Sequence, residues 1–105
     1  MEKDVTLTAE GRELSVNLSG EIDHHTAKIY RTKIDASLFQ GRPEVLRLDF
    51  SKVKFMDSSG IGLIIGRAAK AETVCASVEV RGLSPRLEKI VRMAGIERIP
   101  NVNIN

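Results

Sequence analysis

The chain is poor in cysteine and in aromatic residues, and these shortages exclude several classes of protein. Cys75 is the single cysteine, so an intrachain disulfide is impossible and a reducing compartment is the natural location. Tryptophan is absent, and the aromatic residues are three phenylalanines and one tyrosine. A protein that stacks single-stranded nucleic acid on its side chains needs more aromatic surface than this.

The sequence also lacks an excess of either charge and any long apolar run. Lys and Arg number 16 against 14 Asp and Glu, which gives a net charge of +2, and no basic tract is available for DNA or an anionic membrane. The longest apolar stretch, around Ile61 to Ile65, is too short to span a bilayer, and the N-terminal residues lack the apolar core of a signal peptide. We therefore expect a cytoplasmic protein that does not bind nucleic acid or membrane directly.

The residues that are present suffice for one hydrophobic core. With 42% hydrophobic residues in 105, the chain is predicted to form a single domain over residues 1–105. Two alternating segments, Val5 to Ala9 and Glu13 to Ser19, flank a turn at Glu10-Gly11-Arg12, which predicts an antiparallel hairpin. Further strands are predicted over Glu44 to Phe50 and Ser77 to Gly82, with a weaker one over Arg98 to Ile104.

Three helices are predicted between these strands. Asp23 is a plausible cap for the first, which runs to about Phe39; the second follows a loop through Asp57-Ser58-Ser59-Gly60; and Ser84 caps the third, which Gly95 closes. The predicted inward stripes are Ala27, Tyr30, Ile34 and Leu38 in the first helix; Ile61, Ile64, Ile65, Ala68 and Ala69 in the second; and Leu87, Ile90, Val91 and Ala94 in the third.

The order of strands and helices predicts the architecture. Alternating strands and helices indicate parallel crossovers, but the strands alternate between apolar and polar residues instead of being apolar throughout. We therefore expect a two-layer α/β domain, with a mixed sheet of four to five strands and helices mainly on one face. If the strands ending at Gly20, Phe50 and Gly82 are parallel, three helix N-termini meet at one sheet edge, where α/β proteins bind ligands.

The segment Phe55 to Gly62 (FMDSSGIG) is the most informative part of the sequence. One interpretation is an ordinary helix start, because Asp and Ser are favoured caps. The other is functional, since two hydroxyls stand where one cap suffices. Gly60, Gly62 and Gly66 also thin the helix, and an interior glycine costs about 1 kcal/mol relative to alanine. Such a helix needs either a flat surface for a partner or close packing.

Three segments together resemble the anti-sigma factor antagonists of the STAS family, most closely the members that act in sporulation. They are Gly20 to Ala27 (GEIDHHTA), Phe55 to Gly62 and Leu83-Ser84-Pro85, and the resemblance extends from about residue 5 to residue 99. In this family the second serine of the pair, here Ser59, is phosphorylated by the partner anti-sigma factor, a serine kinase of the histidine-kinase-like ATPase type. The resemblance therefore implies phosphorylation of Ser59.

The resemblance also implies a switch between partners. The unphosphorylated antagonist binds the ATP- or ADP-bound kinase and releases the sigma factor, and a metal-dependent PP2C-type phosphatase restores it after phosphorylation. No cofactor is expected, and two adjacent histidines are poor support for a metal site. The expected partner contacts are Asp23, His24, Asp57, Ser58, Gly60, Gly62, Leu63, Arg67 and Ser84, of which Asp23 is equally well explained as a cap alone.

Phosphorylation of Ser59 is expected to change binding more than structure. A phosphate adds about −1.5 to −2 charge, which a helix N-terminus partly accommodates while Asp57 opposes it. Arg67 lies eight residues further along the helix, roughly 12 Å away, too far to neutralise the phosphate. With Leu63 and Lys70 it is predicted to form an outward stripe, which either contacts the partner or is simply solvated.

Two other functions are alternatives to a phosphorylation switch. An enzyme would use Ser59 as nucleophile and His24 or His25 as base, but the sequence has neither a G-x-S-x-G elbow nor a phosphate-binding Walker loop, so we expect no enzymatic activity. The stronger alternative is a STAS module that binds a small molecule or nucleotide, or that acts as a subunit of a transporter complex. A monomer is expected.

Overall fold

The computed structural model describes residues 6–10 and 12–105, so Val5 and Gly11 of the predicted hairpin lie outside the described residues. The elements, in chain order, are β1 (Thr6–Glu10), β2 (Glu13–Ile22), α1 (His24–Gly41), β3 (Val45–Met56), α2 (Ser58–Thr73), β4 (Ser77–Arg81), α3 (Pro85–Met93), a 3-10 turn (Ile96–Arg98) and β5 (Val102–Ile104).

The strands form one mixed sheet in which spatial order follows chain order, β1-β2-β3-β4-β5. β1 pairs antiparallel with β2, and all the later neighbours are parallel. Leu46 in β3 stands between Leu14 of β2 and Val78 of β4, so apolar side chains line up across the sheet. The predicted hairpin and mixed α/β sheet are confirmed.

The helices cover one face of the sheet because consecutive parallel strands joined by crossovers of one hand place every connection on the same side. Burial in β3 alternates accordingly, with Leu46, Leu48 and Phe50 inside. The opposite face carries Arg47, which lies between Glu13 and Glu79. We call these three residues the sheet-face cluster.

Two strands, β2 and β3, run past their predicted ends. β2 continues beyond Gly20 to Ile22, and β3 continues beyond Phe50 to Met56. The two strands stay paired up to Ile22 and Met56, with shifts of register after Asn17 and after Gly20. The alternation of apolar and polar residues does not predict these shifts. The last strand is shorter than predicted, because Arg98 belongs to the 3-10 turn and residues 99–101 form a bend and a turn.

The packing of α1 follows its predicted stripe. Tyr30, Ile34 and Leu38 are fully buried and Ala27 is partly buried. The Tyr30 hydroxyl donates to the carbonyl of Ser19 at 3.1 Å and accepts from its amide at 3.2 Å. A polar atom buried beneath the helix is thereby satisfied, and α1 is fixed over β2.

The predicted inward face of α2 was wrong in part. Ile64 and Ala68 are buried as expected, but Ile65 is 43% exposed and Ala69 is also exposed. Leu63 and Arg67, predicted to point outward, are each only 3% exposed. The helix is rotated so that Leu63 and Arg67 turn toward α1, where an acidic residue pairs with the arginine.

A similar rotation applies to α3. Leu87 and Val91 are buried, whereas Ile90 is 37% exposed and Ala94 is exposed. The caps of this helix are as predicted, with Ser84 at its start, Pro85 in the first turn and Gly95 in the left-handed conformation after its end. None of the helices in the described residues is both long and apolar enough to cross a bilayer.

Candidate functional site

Three helices begin at the same edge of the sheet. The parallel strands β2, β3 and β4 end at Ile22, Met56 and Arg81, and each is followed by a helix. The capping residues of those helices are Asp23, Asp57 and Ser84. Their amide groups and the positive ends of their dipoles therefore lie along one edge, as the sequence predicts.

The start of α1 is held by a reciprocal pair of hydrogen bonds. Asp23 Oδ1 accepts from the amide of Thr26 at 2.9 Å, and Thr26 Oγ1 accepts from the amide of Asp23 at 2.9 Å. The Thr26 hydroxyl also donates to the carbonyl of Glu21 at 3.0 Å. The bond from the Thr26 amide is the main cause that lowers the pKa of Asp23. These bonds account for Asp23 as a cap.

The start of α2 leaves the hydroxyls of Ser58 and Ser59 unused by the helix cap. Asp57 Oδ1 accepts from the amide of Ser59 at 2.7 Å, so the aspartate supplies the cap by itself. Ser59 is partly exposed, and within the described residues no hydrogen bond is assigned to its hydroxyl. Ser58 is the first residue of the same helix and is exposed. An uncommitted hydroxyl at a helix start can accept a phosphoryl group without breaking the cap.

Ser59 faces a groove of about 300 Å³ between α1 and α2. We call it the α1–α2 groove; it is lined by His24, Ala27, Lys28, Arg31, Ser59, Gly62, Leu63, Gly66 and Arg67. Among these residues three are lysine or arginine and none is acidic. The groove is therefore a basic surface next to a free hydroxyl.

The three glycines of α2 serve two different purposes. A Cβ at Gly60 would overlap the side chain of Met56, so this position permits the first turn of α2 to pack on the end of β3. At Gly62 and Gly66 an added Cβ would meet nothing within 4 Å. Close packing explains Gly60, and the absence of side chains at Gly62 and Gly66 keeps the groove open.

Arg67 lines the groove with a buried side chain. Its Nε lies 2.8 Å from Asp35 Oδ1 on α1, and its side chain is 4% exposed. Burial is the main cause that lowers the pKa of Arg67, against the raising effect of Asp35, and the charge of Arg31 lowers it further. Arg67 thus pairs α2 with α1 and lines the groove, and its predicted place on an outward stripe is wrong.

The predicted site residues fall into three groups, and one of these lies at the starts of α1 and α2 without lining the groove: Asp23, Asp57, Ser58 and Gly60. His24, Ser59, Gly62, Leu63 and Arg67 meet at the groove. Ser84 does not, because its hydroxyl accepts from the amide of Leu87 at 3.2 Å and it lines a separate small pocket on α3. That pocket is lined by Lys54, Phe55, Met56, Ser84, Arg86, Leu87 and Ile90.

Two residues of the site were missed from the sequence. Lys28 and Arg31 follow His24 at spacings of four and three, which places all three on one side of α1. That stripe was visible, but nothing local indicates that it faces Ser59 across a groove. The described residues contain no cluster of three or more His, Cys, Asp or Glu arranged for a metal ion.

Comparison with known proteins gives a consistent result in sequence. The family described as "Mlab, STAS domain" matches residues 5–102. The anti-sigma F factor antagonist of Lysinibacillus sphaericus is 36% identical over 81 residues, which cover 77% of this chain and 69% of the relative. The anti-sigma F factor antagonist of Paenibacillus polymyxa is 34% identical, covering 82% of this chain and 74% of the relative.

Solved structures give the same result in three dimensions. The anti-sigma factor antagonist SpoIIAA in its unphosphorylated form matches with a TM-score of 0.81 and 31% identity, over 97% of this chain and 88% of that one. The phosphorylated form of SpoIIAA, a cell fate determinant of Bacillus, matches with a TM-score of 0.75 and 31% identity, over 97% and 91%.

Proposed function

The chain belongs to the STAS domain family, and we propose that it is an anti-sigma factor antagonist switched by reversible phosphorylation of Ser59. One observation carries this proposal. The Ser59 hydroxyl stands uncommitted at the start of α2, because Asp57 caps the helix without it. It also faces an open groove, so the active site of another protein can reach it.

The proposed partners are those that the resemblance to anti-sigma factor antagonists implies. An anti-sigma factor that is also a serine kinase binds the unphosphorylated chain with ATP or ADP in its own site, and thereby releases its sigma factor. It contacts the sheet edge formed by the starts of α1 and α2, including Asp23, His24, Asp57 and Ser58. A PP2C-type phosphatase removes the phosphate and returns the chain to its binding state.

Phosphorylation is proposed to change the charge of this surface while the fold persists. A phosphate adds about −1.5 to −2 charge beside Asp57, which repels a partner surface that fits the neutral serine. The fold of this chain is similar to that of SpoIIAA in both its unphosphorylated and its phosphorylated forms, which supports a switch without rearrangement.

The remaining features of the proposal concern what the chain does not do itself. It acts as a cytoplasmic monomer of one domain, residues 1–105, and without enzymatic activity. Phosphoryl transfer is the kinase's chemistry, since the described residues place no acid or base in hydrogen-bond contact with the Ser59 hydroxyl.

The test is a phosphorylation assay on the purified chain. It is incubated with ATP alone, and separately with ATP and each serine-kinase anti-sigma factor of the source organism, and the phosphate is mapped by mass spectrometry. We expect one phosphate, on Ser59, only when a kinase is present. A PP2C-type phosphatase with a divalent metal should remove it.

Matched variants complete the assay. Ser58→Ala changes the neighbouring hydroxyl and should still be phosphorylated, whereas Ser59→Ala should not be modified but should still bind the kinase. Ser59→Asp should bind it weakly. Phosphate on Ser58, or a kinase that binds the chain without modifying it, contradicts the proposal and favours a STAS module that holds a small ligand in the groove.

A further inference from the structure

We propose that the α1–α2 groove is a phosphoserine-binding pocket, in which Lys28 and Arg31 hold the phosphate on Ser59 of the same chain. This inference rests on the proposed function only in taking Ser59 as the modified residue. The helix that contains Ser59 has no lysine or arginine before Arg67, eight residues further along the chain. The neighbouring helix α1 supplies two cations, Lys28 and Arg31.

The geometry of α1 brings these cations to one side. His24, Lys28 and Arg31 are separated by four and three residues, so they form a single stripe along the helix. All three line the groove that Ser59 also lines. Lys28 and Arg31 are exposed and carry long flexible side chains, which can close on a phosphate without any movement of the backbone.

Two of the three cations that line the groove have no counter-charge in the part of the chain that the structure describes. Neither Lys28 nor Arg31 has an ion-pair partner among the described residues. Asp35 is engaged by Arg67 and does not line the groove. Cationic side chains held together without a counter-charge repel one another, and an anion between them relieves that repulsion.

The groove also has room for the group. Gly62 and Gly66 present no side chain on the α2 side, and a Cβ at either position would meet nothing within 4 Å. A phosphate is small compared with a groove of about 300 Å³. Arginine and lysine are the side chains that proteins use for phosphate, arginine through two parallel hydrogen bonds and lysine as a point charge.

The consequence is that a partner no longer meets a positively charged groove. Lys28 and Arg31 provide two positive charges, and the phosphate provides about −1.5 to −2, so the phosphorylated groove is close to neutral. A partner that places an acidic surface against the free groove loses that attraction once Ser59 is modified. Phosphorylation therefore masks a binding surface as well as adding a charge.

The experiment uses the full chain with phosphoserine installed at position 59 during translation, so no kinase is needed. The pH titration of its ³¹P signal is compared with that of Lys28→Gln/Arg31→Gln. The control is Lys70→Gln/Lys89→Gln, which removes the same charge from exposed positions that do not line the groove. The titratable and charged residues that line the groove are His24, Lys28 and Arg31 from α1 and Arg67 from α2, and Asp57 caps α2 beside Ser59.

We expect the titration midpoint of the Lys28→Gln/Arg31→Gln chain to lie at least about 0.5 pH higher than that of the parent, because nearby cations favour the dianion. The control should stay close to the parent. Equal midpoints in all three chains, or equal shifts in the two double variants, overturn the inference. Those outcomes leave the kinase assay on Ser59 unaffected, so the two proposals can fail separately.

Discussion

The uncovered face of the sheet and the α1–α2 groove both present cations, but the sheet face pairs its arginine with carboxylates, whereas the groove, within the described residues, leaves two of its three cations unpaired. In the sheet-face cluster, Arg47 donates to Glu13 at 2.7 Å and to Glu79 at 2.6 Å, and these bonds raise its pKa. In the groove, Lys28 and Arg31 have no ion-pair partner among the described residues. Paired charges stabilise the fold across neighbouring strands, whereas unpaired charges remain available to a ligand or partner.

The largest effect on stability is expected from breaking the ion pair between Arg67, which lines the groove, and Asp35. Asp35→Asn should leave the buried Arg67 guanidinium without its counter-charge and lower the free energy of unfolding by about 3 kcal/mol. Urea unfolding followed by circular dichroism measures this. Asp35→Asn/Arg67→Met removes both charges and should lose less than the single variant; a double variant that loses as much shows that the ion pair is not the cause.

A smaller loss is expected in the sheet-face cluster. Arg47→Gln should lower the free energy of unfolding by about 1 kcal/mol, since it breaks two ion pairs that are only partly shielded from water. Arg81→Gln is the control, because Arg81 is 3.8 Å from Glu79 and half exposed, and it should stay within about 0.5 kcal/mol of the parent. Equal losses in the two variants contradict the distinction.

The same cluster predicts how stability depends on acid. The hydrogen bond from Arg47 is the main cause that lowers the pKa of Glu79 below its ordinary value of 4.5. The stabilisation from this carboxylate is therefore complete above pH 4.5 and is lost as the pH falls through the lower value in the folded protein. Thermal unfolding between pH 5 and 3 should show this loss, and it should be weaker in Arg47→Gln. An unchanged slope in that variant argues against the pairing.

The smallest effect is expected in the groove. Lys28→Gln and Arg31→Gln, singly or together, should change the free energy of unfolding by no more than about 0.5 kcal/mol, because these side chains make no ion pair to lose. Arg31→Gln should be neutral or slightly stabilising, since it removes a charge that disfavours the charged form of Arg67. Denaturant midpoints test this. A clear loss of stability places Lys28 and Arg31 among the structural charges.

The parts of the fold that the sequence predicted are those governed by local rules. The hairpin, the caps at Asp23 and Ser84 and the shared edge of three helix starts follow from alternation, capping chemistry and strand direction. The position of Ser59 at the start of α2 was also predicted correctly, because a cap and its following hydroxyl are close in sequence.

The features that were missed depend on how one helix faces another. The sequence predicts an outward position for Arg67, and a charged side chain is rarely buried without a partner. Asp35 of α1 is the partner that makes the burial of Arg67 possible. Lys28 and Arg31 lie on an exposed part of α1, and nothing in the sequence of that helix distinguishes them from other surface charges. Their importance appears only when α1 is seen beside the start of α2, and no spacing within one helix determines that.

The agreement between strand order and chain order has a consequence for synthesis. Each new strand adds to the edge left by the one before it, so every pairing closes a loop no longer than one crossover. The segment from β2 through α2, which contains Ser59 and the whole groove, can therefore assemble before α3 and β5 have left the ribosome.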